Sequence, residues 1–280
     1  MARIIAIYHV IEKGLSMPKT RTGFGSAIAL DLIKYIEQYS KLKYDLNNKH
    51  IHSAYKILST YYKNLESNSQ HAFMIQSFLS KKPAEQANID GGCTEVKREY
   101  IISQLNQGFE KLANVRHSIR NFSNKDVPLS IIKKAITIAQ RSPSVCNRQA
   151  TRVHLIQEPD ILKSILELQN GNRGFGHLIN KLFIISTDIA FFDGAGERNQ
   201  SFVDAGMFAM SLIHALLDME IGSIPLNWAV EKSRDIQLRN LIGIPPNENI
   251  VMLIGIGYLK ETTKITVSLR NDLESILSIS

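Results

Sequence analysis

Apolar positions recur at helical spacing three times near the start of the chain. Ile4, Ile7, Tyr8, Ile11 and Leu15 fall on one helical face, and Ile28, Leu32, Tyr35, Ile36 and Tyr39 on a second. Ile51, Ala54, Tyr55, Leu58, Tyr61, Tyr62 and Leu65 mark a third, with Asn47-Asn48 as the turn before it. Gly14 sits where the first helix would stop. Residues 1–66 therefore predict a helical extension. Residues 67–95 are polar, with Lys81-Lys82-Pro83 and Gly91-Gly92, and predict a mostly irregular linker. The expected domains are 1–95, extension and linker, and 96–280.

Downstream the pattern alternates. Helical signals at 100–114 and 130–140 precede a strand at 153–157, and a helix at 160–168 precedes a strand at 182–187. Residues 202–219 are apolar almost all round, and 250–258 reads as a central strand. Such alternation predicts a three-layer α/β or α+β sandwich with a mixed sheet. A helix without a polar face needs cover on every side, which motivates an expected homodimer.

Composition narrows the classes. At 280 residues, 44% hydrophobic and 21% charged, the chain can bury a full core and is not compositionally disordered. A net charge of +7 and a pI of about 9.3 raise nucleic acid as a partner. The Lys and Arg residues are scattered, however, without a basic run or an aromatic platform, so no nucleic-acid partner is expected. The apolar run at 250–259 is too short to span a membrane and contains Gly255 and Gly257. The apolar stretch at 4–8 is too short for an export signal, so a cytoplasmic location is expected. Cys93 and Cys146 stand in unlike contexts and suggest neither a disulfide nor a metal site. The histidines form no His-x-x-x-His pair, and no Gly-x-Ser-x-Gly elbow is present.

Two short stretches carry candidate chemistry. Arg116-His117-Ser118-Ile119-Arg120 sets two guanidiniums and a hydroxyl within five residues, a cradle for a phosphate or else a solvated face with a capping serine. Ser142-Pro143-Ser144-Val145-Cys146-Asn147-Arg148-Gln149 follows an apolar helix, as a ligand-lining loop would. Cys146 lies between Arg141 and Arg148 and reads as a low-pKa thiol or as a small pocket residue. Gln169-Asn170-Gly171-Asn172-Arg173-Gly174-Phe175-Gly176 lacks the Gly-Lys-Ser/Thr ending of a nucleotide phosphate loop. Arg21-x-Gly23-Phe24-Gly25 points at an anion, or is a turn whose aromatic docks on the core. The tyrosines between Tyr35 and Tyr62 read as a core stripe with wet hydroxyls.

The order Arg116-His117-Ser118-Ile119-Arg120-x-Phe122, a helix ending at Ala139, Ser142-Pro143-Ser144-x-x-Asn147-x-Gln149 and a strand at Val153 resembles the opening of the FMN-dependent nitroreductase family. The apolar helix after Asp204 and Gly255-x-Gly257-Tyr258 agree, so the resemblance covers residues 110–272. The block containing His9-x-x-Glu12-Lys13-Gly14-Leu15 also resembles the amino-terminal extension of nitroreductase-like proteins found among polysaccharide-biosynthesis proteins.

The resemblance implies an α+β nitroreductase-like three-layer sandwich with a mixed central sheet, preceded by the helical extension. It implies a homodimeric, FMN-dependent oxidoreductase that passes a hydride from NAD(P)H through flavin to a nitroaromatic, quinone or enone. Arg116, His117, Ser118 and Arg120 match its phosphate and ribityl contacts, with Arg270 as a final phosphate-side arginine. Ser144, Cys146, Asn147 and Gln149 match the loop that lines the flavin, Asn172 an amide toward the ring or ribityl chain, and Pro225, Leu226 and Asn227 a loop beside the isoalloxazine. No catalytic side chain and no metal is implied, because the flavin carries the chemistry. The family commonly continues Gln-Pro-Trp where this chain has Gln149-Ala150-Thr151, and has an acidic residue with glycine where it has Leu226-Asn227. Those departures make a substrate unsafe to transfer. The alternative is a flavin-binding or flavin-less accessory protein in surface polysaccharide biosynthesis.

Overall fold

The computed structural model describes residues 1–66, 69–80 and 91–280. It divides into two compact units, Met1–Glu95 with Lys264–Ser280, and Val96–Thr263. The carboxy-terminal residues 264–280 thus cluster with the amino-terminal helices.

In the first unit α1 (Ala2–Leu15), α2 (Ser26–Lys41) and α3 (Lys49–Tyr62) follow the three apolar faces read from the sequence. They bury Ile4, Ile11, Leu32, Ile36, Ile51 and Leu58 in one core. Asn48 starts α3 by accepting a hydrogen bond from the His50 amide at 2.9 Å. Gly14 does not end α1, which runs through Leu15. Its missing side chain instead admits Phe24: a Cβ there would lie 1.9 Å from the Phe24 ring. Phe24 stacks edge-on to Tyr61 at 5.2 Å, and the Tyr61 hydroxyl donates to the Phe24 carbonyl. The Gly23-Phe24-Gly25 turn is therefore an aromatic dock.

A fourth helix, α4 (Gln70–Leu79), occupies the stretch where an irregular linker was expected. Its Ala72, Ile75 and Phe78 are buried at helical spacing, Ser69 caps it through the Ala72 amide, and Phe78 stacks on Tyr55 at 4.8 Å. The flanking polar residues had masked that short stripe. Lys81-Lys82-Pro83 lies outside the described residues.

A polar chain runs from the core of this unit to its surface. The Tyr8 hydroxyl and His50 Nδ1 are 2.8 Å apart, and His50 Nε2 and Asn271 Oδ1 are 2.8 Å apart. Burial, with Glu12 adding to it, pushes the Tyr8 phenol up to about 12, so it stays protonated. Glu12 accepts from the Gly92 amide at 2.9 Å.

The second unit is built on a sheet of order β2-β3-β5-β4, comprising β2 (Thr151–Ile156), β3 (Lys181–Asp188), β4 (Ile221–Asn227) and β5 (Glu248–Tyr258). These strands pair antiparallel, while an isolated bridge from Ser118 to Ser223 is parallel and makes the sheet mixed at that edge. A separate pair joins β1 (Cys93–Lys97) and β6 (Thr262–Thr266). In β3, Phe183 and Ile185 join a core with α7 (Leu129–Ala139) and α9 (Gln200–Asp218). The alternate residues Leu182 and Ile184 are equally buried, so the strand is covered on both faces. Leu182 pairs with Gly255, where a Cβ would meet Ile179 at 2.9 Å. Ile179 in turn shares a groove with α8 (Pro159–Leu168) on that opposite side. This is the expected α+β sandwich.

Three details differ from the pattern. The single helix expected at 100–114 is two, α5 (Arg98–Gln104) and α6 (Phe109–Val115), because Asn106 and Gly108 take left-handed φ of 61° and 91° between them. β4 passes through Pro225, which a central strand would not tolerate, and α10 (Lys232–Ile242) buries only Leu238. The third detail concerns α9, whose core face carries Ala205, Phe208, Leu212 and Leu216. It leaves Val203, Met207 and Met210 exposed at 50%, 36% and 41%, a stripe at i, i+4 and i+7.

Candidate functional site

Arg116 caps the end of α6 in extended conformation, and the chain then runs beside β4. The Ile119 amide donates to the Ser223 carbonyl at 2.9 Å. Alternation along an extended segment sets Arg116, Ser118 and Arg120 to one side while Ile119 goes into the core. Arg120 is 5% exposed, with its guanidinium 5.9 Å from the centre of the buried Phe175 ring and donating to the Ser118 carbonyl at 3.4 Å. A guanidinium at that depth acts on an anion through a low dielectric and with fixed geometry. Arg116 also bears on His214 of α9. Burial first, and the Arg116 charge second, hold the His214 imidazole below its usual range. The His214 ring meets Phe109 edge-on at 5.0 Å.

The second stretch forms a strained, framed loop. Cys146, Asn147 and Gln149 have φ of 50°, 53° and 51°, a left-handed region that costs a non-glycine residue about 1 kcal/mol or more. The frame comes from α9 and from the segment after β3. Asp204, 2% exposed, accepts from the Val145 amide at 3.2 Å and from Gln200 Nε2 at 2.7 Å. Ser142 donates to Ser211 at 2.7 Å. Arg148 donates to the Phe191 carbonyl at 2.7 Å and forms an ion pair with Glu197. That hydrogen bond to Arg148, then the Asp193 amide, holds the Glu197 carboxyl below the usual carboxylate range. Ser144 accepts from the Gln149 amide at 3.0 Å, so the turn is closed internally. Gln149, Asn147 and Cys146 are left exposed on this frame. A cavity of about 330 Å³ lies alongside, lined by Ser144, Gln149, Arg152, Asp204 and Phe208.

A third group sits at the other end of the sheet. Asn172 gives its amide to the carbonyls of Leu166 and Gln169, at 2.6 and 2.9 Å, and so caps α8. Gln169, 4% exposed, donates to the Asn227 carbonyl at 3.0 Å and accepts from the Gly171 amide at 2.6 Å. Pro225, Leu226 and Asn227 belong to β4 and pair with Ile254, Leu253 and Met252. Trp228 donates from Nε1 to Asp235 at 2.8 Å, which pins it to α10.

The structure therefore joins the first and third groups, through Arg120 on Phe175 and through Ser118 beside β4, and hangs the framed loop on α9. The loop hangs on Asp204 and the Arg116 region bears on His214. Ser142 holds the same helix at Ser211, one turn from His214, so the loop lies along α9 from Asp204 to that turn. Arg270 lies in the first unit, exposed, and donates to the Ser268 carbonyl at 3.0 Å. Sequence reasoning missed Asp204, Gln169, Phe175 and Glu197. Gln169 and Phe175 stood inside the Gly-rich stretch at 169–176 without a role of their own, and Asp204 as a carboxylate inside an apolar helical run. Among the described residues no group of three or more His, Cys, Asp and Glu side chains is placed to hold a metal ion.

The second unit is thus a mixed α+β sandwich with a basic edge segment and a polar loop over its long apolar helix. The model of the nitroreductase family matches residues 113–258, and the chain belongs to that family. Members of the family are oxidoreductases that typically bind flavin. Among curated relatives, iodotyrosine deiodinase of Nematostella vectensis is 23% identical over 215 residues, 65% of this chain and 79% of that protein. Among solved structures, the nitroreductase family protein of Streptococcus pneumoniae TIGR4 is 21% identical with a TM-score of 0.54, covering 62% of this chain and all of that one. A candidate NAD(P)H:FMN oxidoreductase of Staphylococcus epidermidis is 17% identical with a TM-score of 0.55, covering 63% of this chain and 97% of that one.

Proposed function

We propose that the protein is a homodimeric FMN oxidoreductase. The observation that carries this reading is the Arg116-x-Ser118-x-Arg120 run, with Arg120 buried against Phe175, inside the nitroreductase domain. Two guanidiniums and a hydroxyl on one side of an extended segment fit a phosphate monoester, while His117 falls to the other side of that segment. Bound FMN would supply two-electron chemistry, taking hydride from NAD(P)H and delivering it to a small acceptor of nitroaromatic, quinone or enone type.

The spacing on α9 supports the dimer. A two-fold axis across the exposed Val203, Met207 and Met210 stripe would run two copies of α9 antiparallel. Ser144, Cys146, Asn147 and Gln149 of one copy would then approach Arg116 of the other and line the ring system. Pro225, Leu226 and Asn227 would offer the β4 edge to that ring. Because Asn172 spends its amide on α8, its part is to hold Gln169 against Asn227 rather than to touch the flavin itself.

The test is the visible spectrum of purified protein, followed by anaerobic NADPH and NADH. A flavin spectrum that bleaches is expected. The acceptor panel pairs a nitroaromatic and a quinone with an iodinated phenol, since relatives are named for removing iodine from iodotyrosine. Replacing Arg116 and Arg120 by alanine should cost about 2 to 5 kcal/mol of binding and yield colourless protein. Stoichiometric FMN in that double variant would overturn the phosphate assignment. A bound flavin that neither nucleotide reduces would favour the accessory role in polysaccharide biosynthesis.

A further inference from the structure

A groove of about 590 Å³ lies between α8, the loop at 172–177 and α10. It shares only Asn172 with the residues assigned to flavin, and none with the cavity beside the framed loop. Its floor is apolar, from the buried side chains of Leu162, Leu166 and Ile179. Its walls are fixed. Arg234 donates to the Leu168 carbonyl and to Asn170 Oδ1, both at 2.8 Å, which ties α10 to the end of α8. Gly176 holds the loop so close that a Cβ there would lie 2.3 Å from Asn172 Oδ1.

The rim is basic: Lys163, Arg173 and Arg234 stand against the single carboxylate Glu167. Lys163, Arg173 and His177 are exposed and hold no ion pair or side-chain hydrogen bond with any described residue. A preformed apolar floor with uncommitted cations at its lip suits one kind of occupant. An anionic head satisfies Lys163 and Arg173 while an apolar body covers Leu162, Leu166 and Ile179. The volume falls within the usual range for small-molecule sites.

We propose that this groove binds a small amphipathic acid at a site separate from the flavin. The proposal does not rest on the flavin reading. The experiment is titration calorimetry of the full chain with biphenyl-4-carboxylate, with biphenyl-4-methanol as the neutral body and acetate as the bare charge. The carboxylate is expected to bind at least tenfold tighter than either, more weakly as salt rises, and equally well with FMN saturating. Arg173→Glu with Lys163→Glu should weaken it at least tenfold. Both positions are exposed, and an unchanged melting temperature confirms that the variant folds. Equal binding of acid and alcohol, binding indifferent to the charge reversals, displacement by FMN, or no heat with the acid would each overturn the proposal.

Discussion

The Asp204→Ala variant examines how the loop at 142–149 is held. The loop carries three non-glycine residues in the left-handed region, a combined strain of about 3 kcal/mol or more. Something outside the loop must offset it. The Asp204 carboxylate is the buried charge on the Val145 amide, and a charge-assisted hydrogen bond of that sort contributes about 1.5 to 3 kcal/mol. Removing it should lower the free energy of loop opening by that amount, which raises amide exchange at Val145 and Gln149 by about 10- to 150-fold. The assay is native-state hydrogen exchange resolved by residue, with the Ile254 amide in β5 reporting global unfolding. Asp204→Asn keeps an acceptor oxygen and loses the charge, so its effect should be intermediate. An alanine variant that loses global stability, read at Ile254, while the exchange rate of Val145 stays that of the native chain would refute the reasoning. Asp204 would then be a buried charge in α9 and not the peg of the loop.

Two further outcomes are expected. Met207→Glu puts a charge in the middle of the exposed Val203, Met207 and Met210 stripe, so sedimentation should show a dimer for the native chain and a monomer for the variant; a native monomer would sink the two-fold arrangement. His214 has its folded-state pKa depressed below the ordinary value near 6.5, chiefly by burial, so the unfolded chain takes up a proton that the folded chain resists. Stability contributed by neutral His214 is present above that value and is lost as pH falls below it toward the folded-state pKa. His214→Gln should accordingly lose less stability than the native chain between pH 7 and pH 5 in urea melts, and superimposable profiles would contradict the shift.

What the sequence made legible was what is local. The faces of α1, α2, α3 and α9 stood out because apolar side chains repeat within one element, and so did β3 and β5, which are nearly continuous apolar runs. β4 did not, because Pro225 and Gly222 break the strand pattern. Pro225 can be borne there because β4 has a full ladder only with β5, its other side carrying just the Ser118 to Ser223 bridge. Gly14 was visible as a residue but not for its reason. A helix-stop reading was natural, whereas the cause is a ring contributed by Phe24, ten positions on.

The candidate site shows the same division more sharply. Both stretches could be named from their donors, since an Arg-x-Ser-x-Arg run and a hydroxyl- and amide-rich turn declare their chemistry without a fold. Their separation could not. Arg120 and Ser144 are only 24 positions apart, which in the sequence looks like one pocket. In the structure one stretch is anchored through Ser223 and Phe175 and the other through Asp204, Ser211 and Glu197. Each anchor is a partner dozens of residues away or more, whose identity no local pattern announces. Several of these anchors converge on α9, where Asp204 and Ser211 hold the loop and His214 meets the Arg116 region. In the proposed two-fold arrangement, a cofactor is met by the two stretches from two copies of the chain. The exposed methionine stripe, which a monomer would leave wet, is the surface on which those copies can meet.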